Sequence, residues 1–267
     1  MDKSRREKGL WWDRNLELLN GCQEVSPACT NCFAREYVKR FESTQSRWQG
    51  LLTDEGKWNG TVKLCEGNLD LPRRVTKPTV WFVTERGDIF HPSVPNWFLI
   101  AMWKTMEATP WHTYILLTKR ASEMKRFFQL LHSRPIEFSG IPALKNVYLG
   151  VTVELNTFRW RIADLLAING YKKFLSYEPA LGPFDLSGVH ITRGDIDGII
   201  IGCESGPHAR ETKMEWIRDV KGQCVPIGVP VFIKQAKIDG TLVKMPEIDG
   251  RVWNRLPWDK EDSCLAK

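Results

Sequence analysis

The sequence contains no run of 18 or more apolar residues, which excludes a membrane-spanning helix. Its first residues, MDKSRREKGLWWDRN, are charged and lack the apolar segment of a secretory signal. We therefore expect a cytoplasmic protein with no membrane partner, in the host cytoplasm if a phage encodes it. In such a reducing compartment, clustered cysteines bind metal or do chemistry more often than they form disulfides.

Several common enzyme motifs are also missing. The chain has no nucleophile elbow, no P-loop and no Rossmann fingerprint. It has no internal repeat and no low-complexity segment, and it lacks the paired CxxC or CxxC plus HxxxH signature of structural zinc sites. Its 267 residues, 42% hydrophobic and 26% charged, are ordinary globular values that can bury a core without disulfides.

Positive charge and tryptophan are present in excess. The formal net charge is +6, and the chain has 12 tryptophans, several of them beside basic residues, as in 11–14 and 159–161. Aromatic side chains next to cations are typical of base-stacking surfaces, and the positive balance favours a phosphate-bearing partner. For any single tryptophan, core packing is the alternative interpretation.

Six short apolar segments rich in Val, Ile, Phe and Tyr are predicted to be strands: 79–85, 113–119, 146–154, 173–179, 197–206 and 229–235. Their continuous hydrophobicity indicates burial on both faces. Helical patterns follow the first, second, third and fifth segments, whereas the fourth connection reads as loop. This alternation predicts an α/β fold with parallel strands and helical crossovers, in a partial or complete TIM-like (β/α) barrel. A doubly wound open sheet is the alternative.

We expect one globular domain made of four segments. Residues 1–42 form an N-terminal segment with a cysteine loop, and residues 43–78 form an insertion or lid with a short hairpin. Residues 79–237 form the barrel body. Residues 238–267 form a C-terminal hairpin and tail, because they contain two Asp-Gly turn signals.

Polar residues follow every predicted strand. The carboxyl ends of parallel strands form the active-site edge of such folds, so these residues predict a polar cavity. Capping of the next helix is the alternative role. The candidates, in chain order, are Thr84, Glu85, Asp88, Lys119, Thr152, Glu154, Glu178, Cys203, Glu204 and Lys234.

Three of the seven cysteines lie in GCQEVSPACTNCF, as Cys22, Cys29 and Cys32. Three thiols without a local fourth Cys or His suit a [4Fe–4S] cluster that keeps one iron open for a substrate or cofactor. A zinc site completed in space by Cys65 or His91 is an alternative. Buried cysteines with no ligand are another.

Four stretches carry a family resemblance, in the family's order: GCQEVSPACTNCFAREYVKRF, VWFVTERGDIFHPSVPNWF, FLSYEPALGPFDL and IIIGCESGPHAR. They resemble the phage Gp37/Gp68-type three-Cys-motif family (DUF5131), which is itself similar to radical S-adenosylmethionine (SAM) enzymes. The chain has C-x6-C-x2-C where radical SAM enzymes commonly have C-x3-C-x2-C. It also has TERGD where NSMSD is usual in the closer family, and GCESG where GGESG is usual.

The resemblance implies a radical SAM fold and mechanism. Cys22, Cys29 and Cys32 would hold three irons of a [4Fe–4S] cluster, SAM would chelate the fourth, and a reductase would supply one electron to form a 5′-deoxyadenosyl radical. Glu154, Glu178 and Cys203 are the expected catalytic residues. The expected cofactor-binding residues are Thr84, Glu85, Asp88, Thr152, Glu154, Glu178, Gly202 and Glu204.

The implied phage setting, the positive charge and the aromatic residues favour a nucleic-acid or nucleoside substrate. We expect a step in phage DNA hypermodification, for example the isomerisation of an amino-acid-modified thymidine, on a flipped-out base if the DNA is duplex. A base photoproduct lyase is an alternative with the same chemistry. A zinc- or cluster-stabilised nucleic-acid-binding protein without catalysis, or hydrolase or transferase chemistry at a metal held by Glu154, Glu178 and Glu204, are alternatives of other classes.

Overall fold

A computed structural model describes residues 3–133, 143–206 and 208–259; the predicted tail beyond 259 lies outside these residues. The helices are α1 Lys3–Glu7, α2 Phe33–Phe41, α3 Asn96–Glu107, α4 Ala121–Ser133, α5 Trp160–Leu166 and α6 Met214–Cys224. The strands are β1 Arg14–Leu16, β2 Leu19–Asn20, β3 Lys63–Leu64, β4 Val80–Val83, β5 Thr113–Thr118, β6 Val147–Thr152, β7 Lys172–Tyr177, β8 Gly198–Gly202, β9 Val231–Ile238, β10 Thr241–Lys244, β11 Glu247–Ile248 and β12 Arg251–Val252.

One eight-stranded sheet organises the chain, in the order β1-β4-β5-β6-β7-β8-β9-β10. All neighbours from β1 to β9 pair in parallel, and β10 pairs antiparallel to β9. Helices connect β4 to β5, β5 to β6, β6 to β7 and β8 to β9, whereas β7 and β8 are joined by a loop with a single 3-10 turn. The α/β prediction with parallel strands and helical crossovers is therefore confirmed. The sheet is open, with β1 and β10 as its edges, so the barrel is partial.

Both faces of the sheet are buried, in two separate hydrophobic clusters. Alternate strand residues, such as Phe82 and Phe174, belong to an inner cluster. Their neighbours, such as Val83 and Leu175, belong to the large outer cluster that includes the helices. Because strand side chains alternate between faces, this division explains why the strands are apolar throughout. The sequential strand order places the helical crossovers on one face only, which disfavours the doubly wound alternative.

Tryptophans from both ends of the chain fill the inner face. Trp11 packs edge-on against Trp12 and Phe82, with ring centroids 4.9 and 5.2 Å apart, and stacks on Trp258 at 5.7 Å. Trp258 also contacts the rings of Tyr148 and Phe174. Core packing, the alternative role for these residues, is thus the observed one. The plug leaves the inner face open only toward the carboxyl ends of the strands.

The C-terminal region turns at both Asp-Gly pairs. Asp239 and Gly240 have φ values of 48° and 76°, and Asp249 and Gly250 have 54° and 77°. Two successive positive φ values are typical of the type I′ turn that joins two-residue hairpins. These turns join β9 to β10 and β11 to β12.

Part of the 43–78 segment builds a small core with the cysteine region. Trp48, Leu51 and Trp58 are buried there against Ala34 and Val38 of α2. The segment carries the expected short hairpin, in which Leu52 bridges Trp58. Within the described ranges, no helix is long and apolar enough to cross a membrane.

Candidate functional site

The inner face of the sheet changes from apolar to polar toward the carboxyl ends of its strands. Tyr148 of β6 lies in the inner cluster, and Thr152 and Glu154 follow it at even spacing on the same face. Phe174 of β7 lies in that cluster too, and Glu178 follows it in the same way. Because parallel strands end at one edge, these side chains meet there. We call this edge, formed by the carboxyl ends of β4 to β9, the site edge.

The cysteine loop, residues 21–32, lies against the site edge. Gly21 forms a parallel bridge with Gly87, just after β4, and the Gly21 amide donates to the Arg86 carbonyl at 3.1 Å. The Arg120 guanidinium, just after β5, donates to the Gln23 carbonyl at 3.2 Å. Both contacts tie the loop to residues that directly follow strands.

A third connection comes from the loop after β8. Asn31, between the second and third cysteines, donates its amide to the Glu204 carboxylate at 3.0 Å. Glu204 also pairs with Arg210, whose guanidinium reaches the Pro27 carbonyl at 2.9 Å. Burial opposes ionisation of Glu204, but the hydrogen bonds from Arg210 and Asn31 hold its pKa below the usual range. Glu204 therefore acts as an ionised fastener for the loop.

The three thiols of the loop differ in exposure. Cys29 is buried, whereas Cys22 and Cys32 are half-buried. Burial, reinforced by the Asp88 carboxylate, raises the pKa of Cys22 to about 12. The loop thus holds its thiols in one electrostatic environment, since the charges of Cys29 and Cys32 also act on Cys22.

The two residues considered as a fourth zinc ligand have other neighbours. Cys65 accepts a hydrogen bond from the Asn20 amide at 3.2 Å, and His91 Nδ1 accepts one from the Ser93 backbone at 3.2 Å. In the part of the chain that the structure describes, no group of three or more His, Cys, Asp or Glu side chains is arranged to hold one metal ion.

Lys119 lies between the thiols and the inner face of the sheet. It follows β5, two positions after Leu117, which packs on the inner cluster. Burial lowers the pKa of its ammonium, but the charges of Cys29, Glu154 and Cys32 raise it overall. Within residues 3–133, 143–206 and 208–259, no hydrogen bond or ion pair engages this ammonium. The site edge therefore presents a cation with unused donors.

Glu154 forms a buried ion pair with Arg161 of α5. The Arg161 guanidinium donates to Glu154 Oε2 at 2.8 Å and to the Thr152 carbonyl at 2.7 Å, and both side chains are almost fully buried. Burial, the dominant effect, lowers the pKa of Arg161. The second carboxylate oxygen, Glu154 Oε1, is buried without a hydrogen-bond partner among the described residues. An unpaired buried oxygen is costly, so it marks a position prepared for a ligand donor.

The turn after β4 holds two more unsatisfied acceptors. Thr84 has a φ of 63°, an uncommon conformation for a β-branched residue, and its buried Oγ1 has no partner in the described ranges. The Asn15 amide donates to the Glu85 carboxylate, which leaves the buried Asn15 Oδ1 without a donor. Burial raises the pKa of Glu85 despite the nearby Arg86 charge.

Asp88 is fully occupied by local hydrogen bonds. Its carboxylate accepts from the Thr118 hydroxyl at 2.7 and 2.8 Å, from the Phe90 amide at 3.0 Å and from the Lys119 amide at 3.2 Å. These bonds join the ends of β4 and β5. Asp88 therefore shapes the site edge.

Glu178 lies across the site edge and pairs with Lys234 of β9 at 2.5 Å. Its carboxyl leans over Gly202, where an added Cβ would lie 3.1 to 3.2 Å from the Glu178 atoms. The Cys203 side chain is buried, and burial together with the Glu178 charge raises the pKa of its thiol. The Cys203 carbonyl accepts a hydrogen bond from Gln235 at 2.6 Å.

The predicted residues thus surround one edge, but they differ in what they have left to offer. Three functional side chains are missing from the sequence-based set: Asn15, Asn31 and Arg161. Arg161 had a signal, because a cation that falls among Ile162 and Leu165 on a short helix needs a buried partner. Asn15 and Asn31 act through contacts across the fold, so sequence position gives no sign of them.

Comparison with solved structures finds weak similarities. A spore photoproduct lyase complexed with dinucleoside spore photoproduct has 12% identity and a TM-score of 0.42, covering 78% of this chain and 60% of that one. A spore photoproduct lyase mutant without that ligand in its description has 12% identity and a TM-score of 0.42, covering 73% and 58%. This chain spans about three fifths of the length of those structures.

No curated protein matches the chain. One family does, under the description "Protein of unknown function (DUF5131)", and it matches residues 7–260. That range contains the cysteine loop, every strand of the sheet and all the residues of the site edge. The chain belongs to the DUF5131 family.

Proposed function

We propose that this chain is a radical SAM enzyme, with Cys22, Cys29 and Cys32 as the ligands of a [4Fe–4S] cluster. The observation that carries the proposal is the position of the cysteine loop. It is tied to the ends of β4, β5 and β8, directly over the polar edge of a parallel sheet. This is the edge at which α/β folds of this kind place their chemistry.

The donor set fits an iron–sulfur cluster. Thiolates are the standard cluster ligands, and the three thiols here interact electrostatically without forming a single-ion site in the described ranges. The Lys119 ammonium lies close enough to Cys29 and Cys32 for their charges to raise its pKa. A nearby cation favours the thiolate form that a cluster requires.

The unsatisfied groups fit SAM. Its ammonium group needs acceptors, and Thr84 Oγ1 and Asn15 Oδ1 are buried acceptors without donors. Its carboxylate needs a cation, which Lys119 supplies. Its ribose hydroxyls need an acceptor, and Glu154 Oε1 is one. Thr152, Glu178 and Gly202 would complete the cavity, while Asp88 and Glu204 would hold its walls through the bonds described above.

When bound, the cluster and SAM would supply one-electron cleavage of the sulfonium and a 5′-deoxyadenosyl radical for hydrogen abstraction. The protein's own residues bind, orient and exclude water. The Glu154–Arg161 pair keeps one carboxylate oxygen facing the cavity, and the tryptophan plug closes the far end of the inner face. We assign Glu178 and Cys203 to the substrate side, where Lys234 keeps Glu178 ionised.

We propose a nucleic-acid base or nucleoside as the substrate. Helices that follow strands begin at the site edge, and two of them begin with exposed tryptophans: Trp97 of α3 is 52% exposed and Trp160 of α5 is 49% exposed. Phe33, which directly follows Cys32, is 58% exposed. Such rings can stack on a base. The finer proposal is a step in phage DNA hypermodification, such as isomerisation of a modified thymidine.

Anaerobic purification tests the cluster first. We expect a brown protein with about four irons per chain, as a [4Fe–4S] cluster requires, and formation of 5′-deoxyadenosine from SAM with dithionite. Cys29→Ala should lose both, whereas Cys224→Ala, in a buried helix position of the outer cluster, should keep both. One zinc per chain and no colour would refute the proposal and favour the nucleic-acid-binding alternative. Comparing DNA nucleosides from phage with and without the gene tests the substrate.

A further inference from the structure

The outer face of α2 combines unpaired cations with exposed aromatic rings. We define the α2 outer face as Phe33, Tyr37, Lys39, Arg40 and the adjacent Arg47. All five side chains are exposed. Phe33 and Tyr37 are one turn apart, so they are neighbours on the helix surface. This face is unlike the rest of α2, whose Ala34 and Val38 are buried in the small core.

The cations of this face are not committed elsewhere. Lys39, Arg40 and Arg47 form no ion pair with any residue that the structure describes. Arg40 lies over the Phe41 ring at 5.2 Å and Arg47 over the Trp48 ring at 4.6 Å, which leaves their charges at the surface. By contrast, Arg35 on the same helix pairs with Glu24 and Glu36.

The face is rigidly continuous with the cysteine loop. Cys32 is the N-cap of α2, and Cys22 and Cys32 pack against the same small core as Trp48. The Tyr37 ring lies 5.3 Å from Trp48 and 4.6 Å from the Arg86 guanidinium. Arg35 also donates to the carbonyls of Cys29 and Thr30, at 3.3 and 2.6 Å. A protein docked on this face would therefore lie next to the thiols.

Resting on the proposed function, we infer that the α2 outer face docks an acidic one-electron donor protein. Cations ringing exposed aromatics are the composition of a transient protein interface, and they complement an acidic partner. The patch is short and is flanked by the acidic Glu36 and Glu42, which suits a compact protein better than an extended phosphate backbone. One electron leaves the flavin hydroquinone of a flavodoxin and enters the cluster, with no bond formed or broken.

The test compares two charge-reversed variants. Lys39→Glu/Arg40→Glu changes the docking face. Arg74→Glu/Lys77→Glu changes two exposed cations that precede β4, at the opposite edge of the sheet, and neither has an ion pair in the described ranges. Two readouts are measured at low salt: the affinity for an acidic flavodoxin by calorimetry, and the rate at which its hydroquinone bleaches the cluster absorbance.

We expect Lys39→Glu/Arg40→Glu to weaken flavodoxin binding and slow bleaching by about tenfold or more, since steering charges change association by that order. Bleaching by dithionite should stay unchanged, and Arg74→Glu/Lys77→Glu should resemble wild type. Equal effects of both variants, or no effect of either, would overturn the inference. So would loss of single-stranded DNA binding with flavodoxin binding intact. An iron-free wild-type protein would refute the proposed function instead, and calorimetry would still decide docking.

Discussion

Gly87 is where the cysteine loop meets the first strand of the site edge, and the contact leaves no room for a side chain. A Cβ built on Gly87 would lie 2.7 Å from the Gly21 carbonyl oxygen and 3.3 Å from Thr84 Cγ2, and closer still to Leu19 Cδ1. The Gly21 oxygen belongs to backbone that is itself confined, since a Cβ on Gly21 would meet the Thr61 carbonyl. Gly87→Ala must therefore push the turn after β4 away from the cysteine loop.

Overpacking of a tight site costs about 1–3 kcal/mol, and Leu19 is fully buried, so relaxation is limited. For a chain of this size we expect the melting temperature to fall by about 2–4 °C per kcal/mol. The displacement acts one residue from Cys22 and three from Thr84. We therefore also expect Gly87→Ala to lose iron faster than wild type when challenged with a chelator under anaerobic conditions.

Gly67→Ala is the matched control. Gly67 also has a φ that is not left-handed, and a Cβ there would meet no atom within 4 Å. It should therefore keep both the wild-type melting temperature and the wild-type iron retention. If Gly87→Ala behaves like Gly67→Ala in both assays, the close approach of the two glycine turns does not hold the loop in place and the reasoning fails.

Two further predictions concern buried charges. Burial raises the pKa of Glu17 from 4.5 to about 7 despite its bond to Arg86, so the folded state binds the extra proton. Wild type should therefore lose about 3 kcal/mol of stability relative to Glu17→Gln as the pH rises from 4 to 8; a pH-independent difference between their unfolding curves would contradict this. Arg161→Met leaves Glu154 as an unpaired buried charge and should cost about 3–5 kcal/mol, measured by denaturation. Arg161→Met/Glu154→Gln should recover part of that loss, and strictly additive costs would mean that the pair is not coupled.

The α/β architecture could be read from the sequence because it depends on local patterns. The predicted strand 113–119 corresponds to Thr113–Thr118, and the helix predicted after it corresponds to Ala121–Ser133. Strand ends were predicted one to four residues too long, for example 197–206 against Gly198–Gly202. The excess residues are the polar ones of the site edge, which leave the ladder because they turn toward the inner face.

The individual roles at the site edge were harder to predict, because they depend on partners that are distant in sequence. Asp88 and Glu154 are both acids that follow a strand. Asp88 receives donors on both oxygens, whereas Glu154 receives Arg161 on only one. Sequence position gives each acid the same prior, and only the neighbours across the sheet separate a wall residue from one with an oxygen to spare.

That separation also explains what a ligand would gain at this edge. Asp88 already has its hydrogen bonds, so a bound molecule could engage it only by breaking them. Thr84 Oγ1, Asn15 Oδ1 and Glu154 Oε1 are buried without donors among the described residues. Each unsatisfied group costs the protein about 1–3 kcal/mol, which a ligand recovers by donating to it. With the uncommitted Lys119 ammonium beside them, these acceptors favour a ligand that carries both positive and negative groups over a purely anionic one, and that preference follows from the arrangement of the chain itself.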